Sequence, residues 1–322
     1  MKNSILYYSV GALLYCPANH SGLAQSIVTE RFGTKYSLAL CLEDTIHEHF
    51  VQEAERVMLH SLTYIYEQSQ QSDFYLPKLF IRVRNPEQIV RLTKQLGDAF
   101  SLITGFIIPK FSIRNADSYI QEIIRVNEIA QRPVYVMPIY ESSSIIHLRD
   151  RASILYTLKE KLRVLGKLVL NIRVGGNDLC HYFGFRRHAD QSIHQILPIA
   201  AIFSDIVTVY GHDYVISGPV WEYYNGPQWN TGLKKEIEDD LLCGFIGKTI
   251  IHPKQIAMVN QCLQVSPQDY ADARSILNWN TEQASLVCGN EASQRMNEYK
   301  THTNWAKKIT LLAEYYGVRE NE

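Results

Sequence analysis

Six charged side chains stand where apolar, strand-like runs stop. Glu43 and Asp44 follow residues 37–42, Arg82 lies within 78–83, Lys110 follows 105–109, Glu141 follows 134–139, and Asp178 comes just after 168–174. Two carboxylates on neighbouring strands, Glu141 and Asp178, can share one divalent ion. Oxygen ligands with no Cys or His partner nearby favour Mg²⁺ or Mn²⁺ over Zn²⁺. An ion held by only two protein carboxylates keeps positions open for water and substrate oxygens. Arg82 can pair with a substrate carboxylate through two parallel bonds, which lysine does less well. The Gly175-Gly176-Asn177 turn before Asp178 adds backbone N–H groups that can close on a carboxylate. The chemistry this set suits is polarisation of a carbonyl next to a carboxylate, with fixed positive charge where an enolate develops.

Each charge also has a plainer reading. Strand ends often lead into solvated loops, Glu43-Asp44 can cap a following helix, and Lys110 can close an ion pair. The functional reading rests on the coincidence of all six. The histidines add little: His47, His49 and His60 fall on a helical stretch, and His252 reads as a packed or hydrogen-bonding residue. Cys41 has no base placed near it in sequence and reads as buried rather than nucleophilic.

Residues arranged this way need strands that all end at one rim. Strand-like runs at 12–15, 37–42, 78–83, 105–109, 134–139, 168–174, 214–217 and 248–251 alternate with amphipathic stretches such as 48–68. That alternation predicts βα units and a parallel sheet. Eight units in about 250 residues match an α/β fold of the (β/α)8 TIM-barrel type, whose active sites sit at the C-terminal ends of the strands. A doubly wound sheet is the competing fold, but its glycine fingerprint is missing after the first strand, where the sequence reads CPANHSG. Residues 1–264 are therefore expected to form the barrel. Residues 265–322 read as a helical extension without strands, with helices from 267 to about 287 and from 291 to about 316, suited to oligomer contacts.

The 322-residue chain has a net charge of −1, which points away from nucleic acid and polybasic membrane surfaces. No apolar run reaches the roughly 18 residues of a membrane span. The six cysteines show no CxxC pair and read as buried apolar residues in a reducing cytoplasm. Residues 1–16 faintly mimic a lipoprotein signal, yet a single Lys2 and crowded tyrosines favour the first strand instead.

Together these segments resemble the citrate lyase β-subunit-like branch of the HpcH/HpaI aldolase superfamily. YCPANHSGLAQSI, LALCLED, FIRVRN, GFIIPK, MPIYES, GGNDL and GFIGKTIIHPKQI match its signatures in order. The resemblance implies a metal-dependent barrel that makes or breaks carbon–carbon bonds next to a carboxylate or thioester. It implies Glu141 and Asp178 as ligands of Mg²⁺ or Mn²⁺, Arg82 as the enolate-stabilising group, and Glu43 and Asp44 as residues ordering the metal's waters. Asn19, Lys110, Gly176 and Asn177 would contact substrate. GNEASQRMNEY resembles the segment that carries an acidic residue into a neighbouring subunit's site, which implies a catalytic Glu298 and a homo-oligomer, by family habit a trimer or hexamer. Cys41 replaces an aspartate, Ala18 a glycine, and His20 the basic residue that helps hold coenzyme A phosphates. An acyl-CoA substrate thus stays an option beside a small free carboxylate. Divergent chains of this kind form a branch associated with tellurium-resistance-type gene clusters.

The sequence reading is a cytoplasmic Mg²⁺-dependent carbon–carbon lyase acting by retro-aldol or retro-Claisen cleavage. The alternative is a catalytically altered metal- and metabolite-binding subunit of a biosynthetic or stress-response complex. A phosphoenolpyruvate-type barrel enzyme is a weaker third.

Overall fold

The computed structural model describes residues 3–282 and 285–320. Eight parallel strands close into a barrel in sequence order. They are β1 (Ala12–Pro17), β2 (Tyr36–Cys41), β3 (Lys78–Arg82), β4 (Ile103–Ile108), β5 (Tyr135–Tyr140), β6 (Ile172–Val174), β7 (Ile216–Val220) and β8 (Phe245–Ile250). Closure comes from β1 pairing with β8, with Ala12 opposite Lys248. The barrel expectation holds and the doubly wound alternative falls.

A short α1 (Ile5–Tyr8) precedes the barrel. Its outer ring comprises α2 (Leu23–Val28), α3 (Val51–Ser69), α4 (Glu87–Leu96), α5 (Ala116–Ala130), α6 (Leu148–Leu162), α7 (Gly176–Phe183), α8 (Leu197–Tyr210), α9 (Trp229–Leu242) and α10 (Gln255–Leu263). Runs of fully buried Leu, Ile, Val and Phe on the strands meet the apolar faces of these helices, as parallel strands covered by helices require.

Two strands differ from expectation. The run at 168–174 forms a strand only at its end, because a 3₁₀ segment reaches Leu168 with Gly166 at φ +52°. The strand expected at 214–217 lies at Ile216–Val220, and it holds Gly218 and Pro219. Those residues read as turn punctuation. They are tolerated because the β7–β8 register shifts on both sides of Gly218.

A closed ionic cluster fixes α9 against β8. Lys248 Nζ lies 2.7 Å from both Glu236 Oε1 and Asp240 Oδ2. Glu236 Oε2 accepts from the Ile193 N–H at 2.7 Å, Arg187 Nη2 donates to Glu236 Oε1 at 3.1 Å, and His194 Nε2 sits 2.7 Å from Asp240 Oδ1. Every carboxylate oxygen in it has a partner.

The extension corrects the expectation of a strandless tail. α11 (Pro267–Leu277) is followed by a small antiparallel hairpin, β9 (Val287–Gly289) and β10 (Met296–Glu298), and then by α12 (Tyr299–Tyr316). Asn290 shapes the turn: its Oδ1 accepts from the N–H groups of Gln294 and Arg295, which holds as a turn the stretch after 290 that the sequence predicts to be helical. Tyr316 ties the end of α12 to α1 through a 2.8 Å bond to the Tyr8 carbonyl. Cys243 and Cys288 are exposed, against the expectation of burial, while the other four cysteines are buried. Among the described residues no helix is long and apolar enough to cross a membrane.

Candidate active site at the barrel mouth

Parallel strands deliver their C-terminal ends to one face. Arg82 ends β3, Glu43 and Asp44 follow β2, Lys110 follows β4, Glu141 directly follows β5, and Asp178 lies in the first turn of α7 just beyond β6. The structure brings all six together. Arg82 Nη2 lies 2.5 Å from Glu43 Oε2, 2.7 Å from Asp44 Oδ2 and 3.3 Å from Glu141 Oε1. Lys110 Nζ bridges Glu43 Oε1 at 2.6 Å and Asp44 Oδ1 at 2.8 Å. The Lys110 backbone turns to φ +48°, and its N–H donates to Glu141 Oε1 at 3.1 Å. A positive φ at a non-glycine residue is the sort of local strain that gathers at functional sites.

The glycine pair has a sharper meaning than turn punctuation. A Cβ at Gly175 would stand 2.0 Å from Glu141 Oε2, so only glycine lets β6 pass the buried carboxylate. A Cβ at Gly176 would meet Ile193 Cδ1 at 2.5 Å. Gly176 and Asn177 open α7 and line the mouth cavity with Asp178.

Electrostatics single out Glu141. Burial is the main cause that pushes its carboxyl up to about 7; the Arg82 charge opposes this and the Asp178 charge adds to it. Burial likewise raises Asp178, with the Asp44 charge contributing, and it raises Glu43 against the pull of Arg82. Asp44 goes the other way, since its bonds to Glu43 and Lys110 outweigh burial. Four carboxylates thus converge on two cations. Among the described residues no three His, Cys, Asp or Glu side chains form a metal-binding cluster. Glu141 and Asp178 offer a pair of hard oxygen donors, and crowded carboxylates with too little positive charge fit a divalent Mg²⁺ or Mn²⁺.

Not every expected residue joins the site. Asn19 is exposed in the turn between β1 and α2 and does not line the mouth cavity. Lys110 is engaged by Glu43 and Asp44 and faces an adjacent groove with Ser142 and Arg114, so in this structure it positions carboxylates. Glu298 lies in the extension's hairpin, its backbone N–H bonded to His302 Nδ1 at 3.0 Å. Among the described residues no hydrogen bond or ion pair joins Glu298 to the mouth.

The cavity, of about 300 Å³, adds residues that the reading of strand ends missed, among them Tyr15 on β1, Arg173 on β6 and Thr249 on β8. Arg173 was legible as a charge inside the otherwise apolar LNIRV run. A second cavity beside it, about 460 Å³, is lined by His20, Arg31, His252 and Lys254 among others.

Residues 4–318 match the family model described as C–C bond lyase of the TIM-barrel fold. The chain belongs to this family. The sequence reading of a TIM-barrel carbon–carbon lyase agrees with that match. No curated protein matches the chain. Among solved structures it is similar to CitE from Mycobacterium tuberculosis in complex with magnesium, acetoacetate and coenzyme A. That likeness has 18% identity and a TM-score of 0.60, covering 96% of this chain and 99% of the other. It is also similar to the M. tuberculosis citrate lyase β subunit complexed with oxaloacetate and magnesium, at 17% identity, TM-score 0.52, covering 80% and 98%. RipC from Yersinia pestis matches at 15% identity, TM-score 0.53, covering 80% and 95%. At these identities the structural likeness speaks for the fold.

Proposed function

We propose that the barrel mouth cleaves or forms a carbon–carbon bond next to a carboxylate, with Mg²⁺ or Mn²⁺ held by Glu141 and Asp178. The observation that carries this reading is the convergence of Glu43, Asp44 and Glu141 on Arg82 and Lys110, with Asp178 beside them on the same cavity and burial pushing the Glu141 carboxyl up to about 7. The magnesium complexes of the citrate lyase β-type neighbours support it. When bound, the ion supplies Lewis acidity to a substrate carboxylate and its adjacent oxygen.

The chain's own residues do the rest. Arg82 lines the cavity and supplies fixed positive charge where negative charge develops on the substrate. Glu43, Asp44 and Lys110 hold Arg82 in place. Gly176 and Asn177, at the start of α7, present the unpaired N–H groups of a helix N-terminus to a carboxylate. Glu298 enters from a neighbouring copy in a trimer or hexamer and handles a proton. Its Glu298→Gln variant loses about 10²–10⁴-fold in rate with metal binding unchanged. The reading needs only a free carboxylate. Coenzyme A enters as a substrate option through the second cavity, beside His20, Arg31 and Lys254.

Enolate formation can be tested without the natural substrate. Proton NMR of pyruvate in deuterium oxide is expected to show Mg²⁺-dependent loss of the methyl signal with the wild-type protein. Glu141→Gln abolishes the exchange while keeping the melting temperature. Full exchange in that variant would sink the assignment, and metabolite binding without exchange would assign the chain to the non-catalytic subunit reading, for which the buried Cys41 in place of an aspartate speaks.

A further inference from the structure

The interior of a TIM barrel is usually filled by Val, Ile and Leu, and Arg173 departs from that. Its side chain is 1% exposed, yet it lines the mouth cavity beside Tyr15 and Thr249. Nη2 donates to Thr249 Oγ1 at 2.5 Å, and Tyr15 lines the same cavity. Nη1 is buried with no hydrogen-bond partner. The ion pairs of the mouth run to Arg82 and Lys110, and none among the described residues runs to Arg173.

The other buried arginines of the chain all pair with carboxylates, Arg82 with those of the mouth. Arg151 ends on the carbonyls of Ile145 and Ile146 and on Asp205, and Arg187 ends on the Val220 carbonyl and Glu236. A guanidinium stays protonated in proteins. Arg173 is therefore a buried positive charge with only neutral partners, an arrangement that is costly unless something anionic completes it. Arg173 also lines a cavity, where that something can be a ligand.

We infer that Arg173, with Thr249 and Tyr15, receives a second anionic group of the substrate, so that the substrate carries an oxyanion at each end. This rests on the metal reading for the first end, at Glu141 and Asp178. The second group is a carboxylate or a phosphoryl oxygen, both matched by the guanidinium fork. Ile139, Val174, Val220 and Ile251 line the same cavity and supply an apolar wall for the carbons between. A space of about 300 Å³ confines the substrate to a short chain. Arg173 is thus a specificity residue.

The test compares 2-oxo acids that differ only in the tail, by calorimetry with Mg²⁺ present. Oxaloacetate and 2-oxoglutarate carry a tail carboxylate, 2-oxobutyrate and 2-oxovalerate a neutral tail, and phosphonopyruvate a phosphoryl-like tail. Wild type is expected to bind the best dianion at least about tenfold tighter than its neutral-tailed partner, as a charge-assisted bond implies. Which dianion wins tells carboxylate from phosphoryl. In Arg173→Met that preference disappears, while Mg²⁺ affinity, 2-oxobutyrate affinity and the melting temperature do not fall. Arg173→Lys keeps part of the preference. A metal-free arm separates the two readings: in EDTA, succinate or inorganic phosphate raises the melting temperature of wild type and not of Arg173→Met. If that arm succeeds while wild type binds no Mg²⁺, the metal reading fails and the Arg173 assignment stands. No tail preference in wild type, a preference that survives in Arg173→Met, or a variant that melts well below wild type overturns it.

Discussion

Two ionic clusters share this barrel, and they have opposite characters. Under α9, Lys248, Glu236 and Asp240 are almost wholly buried, and each carboxylate oxygen has a partner. At the mouth, Glu43, Arg82 and Glu141 are also buried. There, Arg82 Nε and Arg173 Nη1 have no partner, and Glu141 is pushed up to about 7, chiefly by burial. The residue types match and the burial is similar. What separates the two is charge pairing: in the α9 cluster every carboxylate oxygen has a partner and each cation has a carboxylate, and the mouth leaves Arg173 without one beside a cavity. Burial of charge alone therefore marks neither structure nor function. Incomplete satisfaction beside a cavity marks the site.

Substitutions can break this contrast from either side. The largest expected effect on stability belongs to the closed cluster. Lys248→Met removes a buried cation from two buried carboxylates, leaves Asp240 Oδ2 without a partner, and is expected to cost about 3–5 kcal/mol in chemical denaturation while leaving Mg²⁺ affinity unchanged. A loss of metal affinity in that variant would mean that the two clusters are coupled. Next comes Gly175→Ala, whose new methyl must displace Glu141. It is expected to cost about 1–3 kcal/mol through overpacking and, unlike Lys248→Met, to weaken Mg²⁺ binding. The smallest effect is a pH dependence of the metal-free protein. The folded state raises the Glu141 carboxyl from an ordinary 4.5 to about 7. Its protonated form is thus favoured by folding. That contribution is complete below about pH 4.5 and is lost as the pH rises through 7. Melting curves in EDTA between pH 5 and 8 should fall across that window, and saturating Mg²⁺ should remove the fall. A pH-independent difference between the two series would contradict the placement of the ion at Glu141.

Much of the mouth could be read from residue order, because a parallel strand announces its end by a change from apolar to charged residues. Glu43, Asp44, Arg82, Lys110, Glu141 and Asp178 were found that way, and they do converge. Arg173 was passed over because it sits inside an apolar run, where its direction depends on which face of β6 looks inward. The need for glycine at 175 was also hidden, since it comes from a carboxylate on another strand. Asn19 and Glu298 came from the family resemblance alone, and this chain's fold leaves both outside its own mouth. In the extension, a side-chain-closed turn at Asn290 makes a hairpin across the break between the two helices that periodicity predicts, so that the second begins at Tyr299 rather than at 291.

The central claim is that the open cluster is completed by a divalent cation on Glu141 and Asp178. Calorimetric titration of the metal-free protein with Mg²⁺ tests it most directly, run on wild type, Glu141→Gln and Asp178→Asn. One site per chain is expected in wild type, with none in either variant and no loss of melting temperature in EDTA. Equal Mg²⁺ binding by Glu141→Gln and wild type would contradict the account.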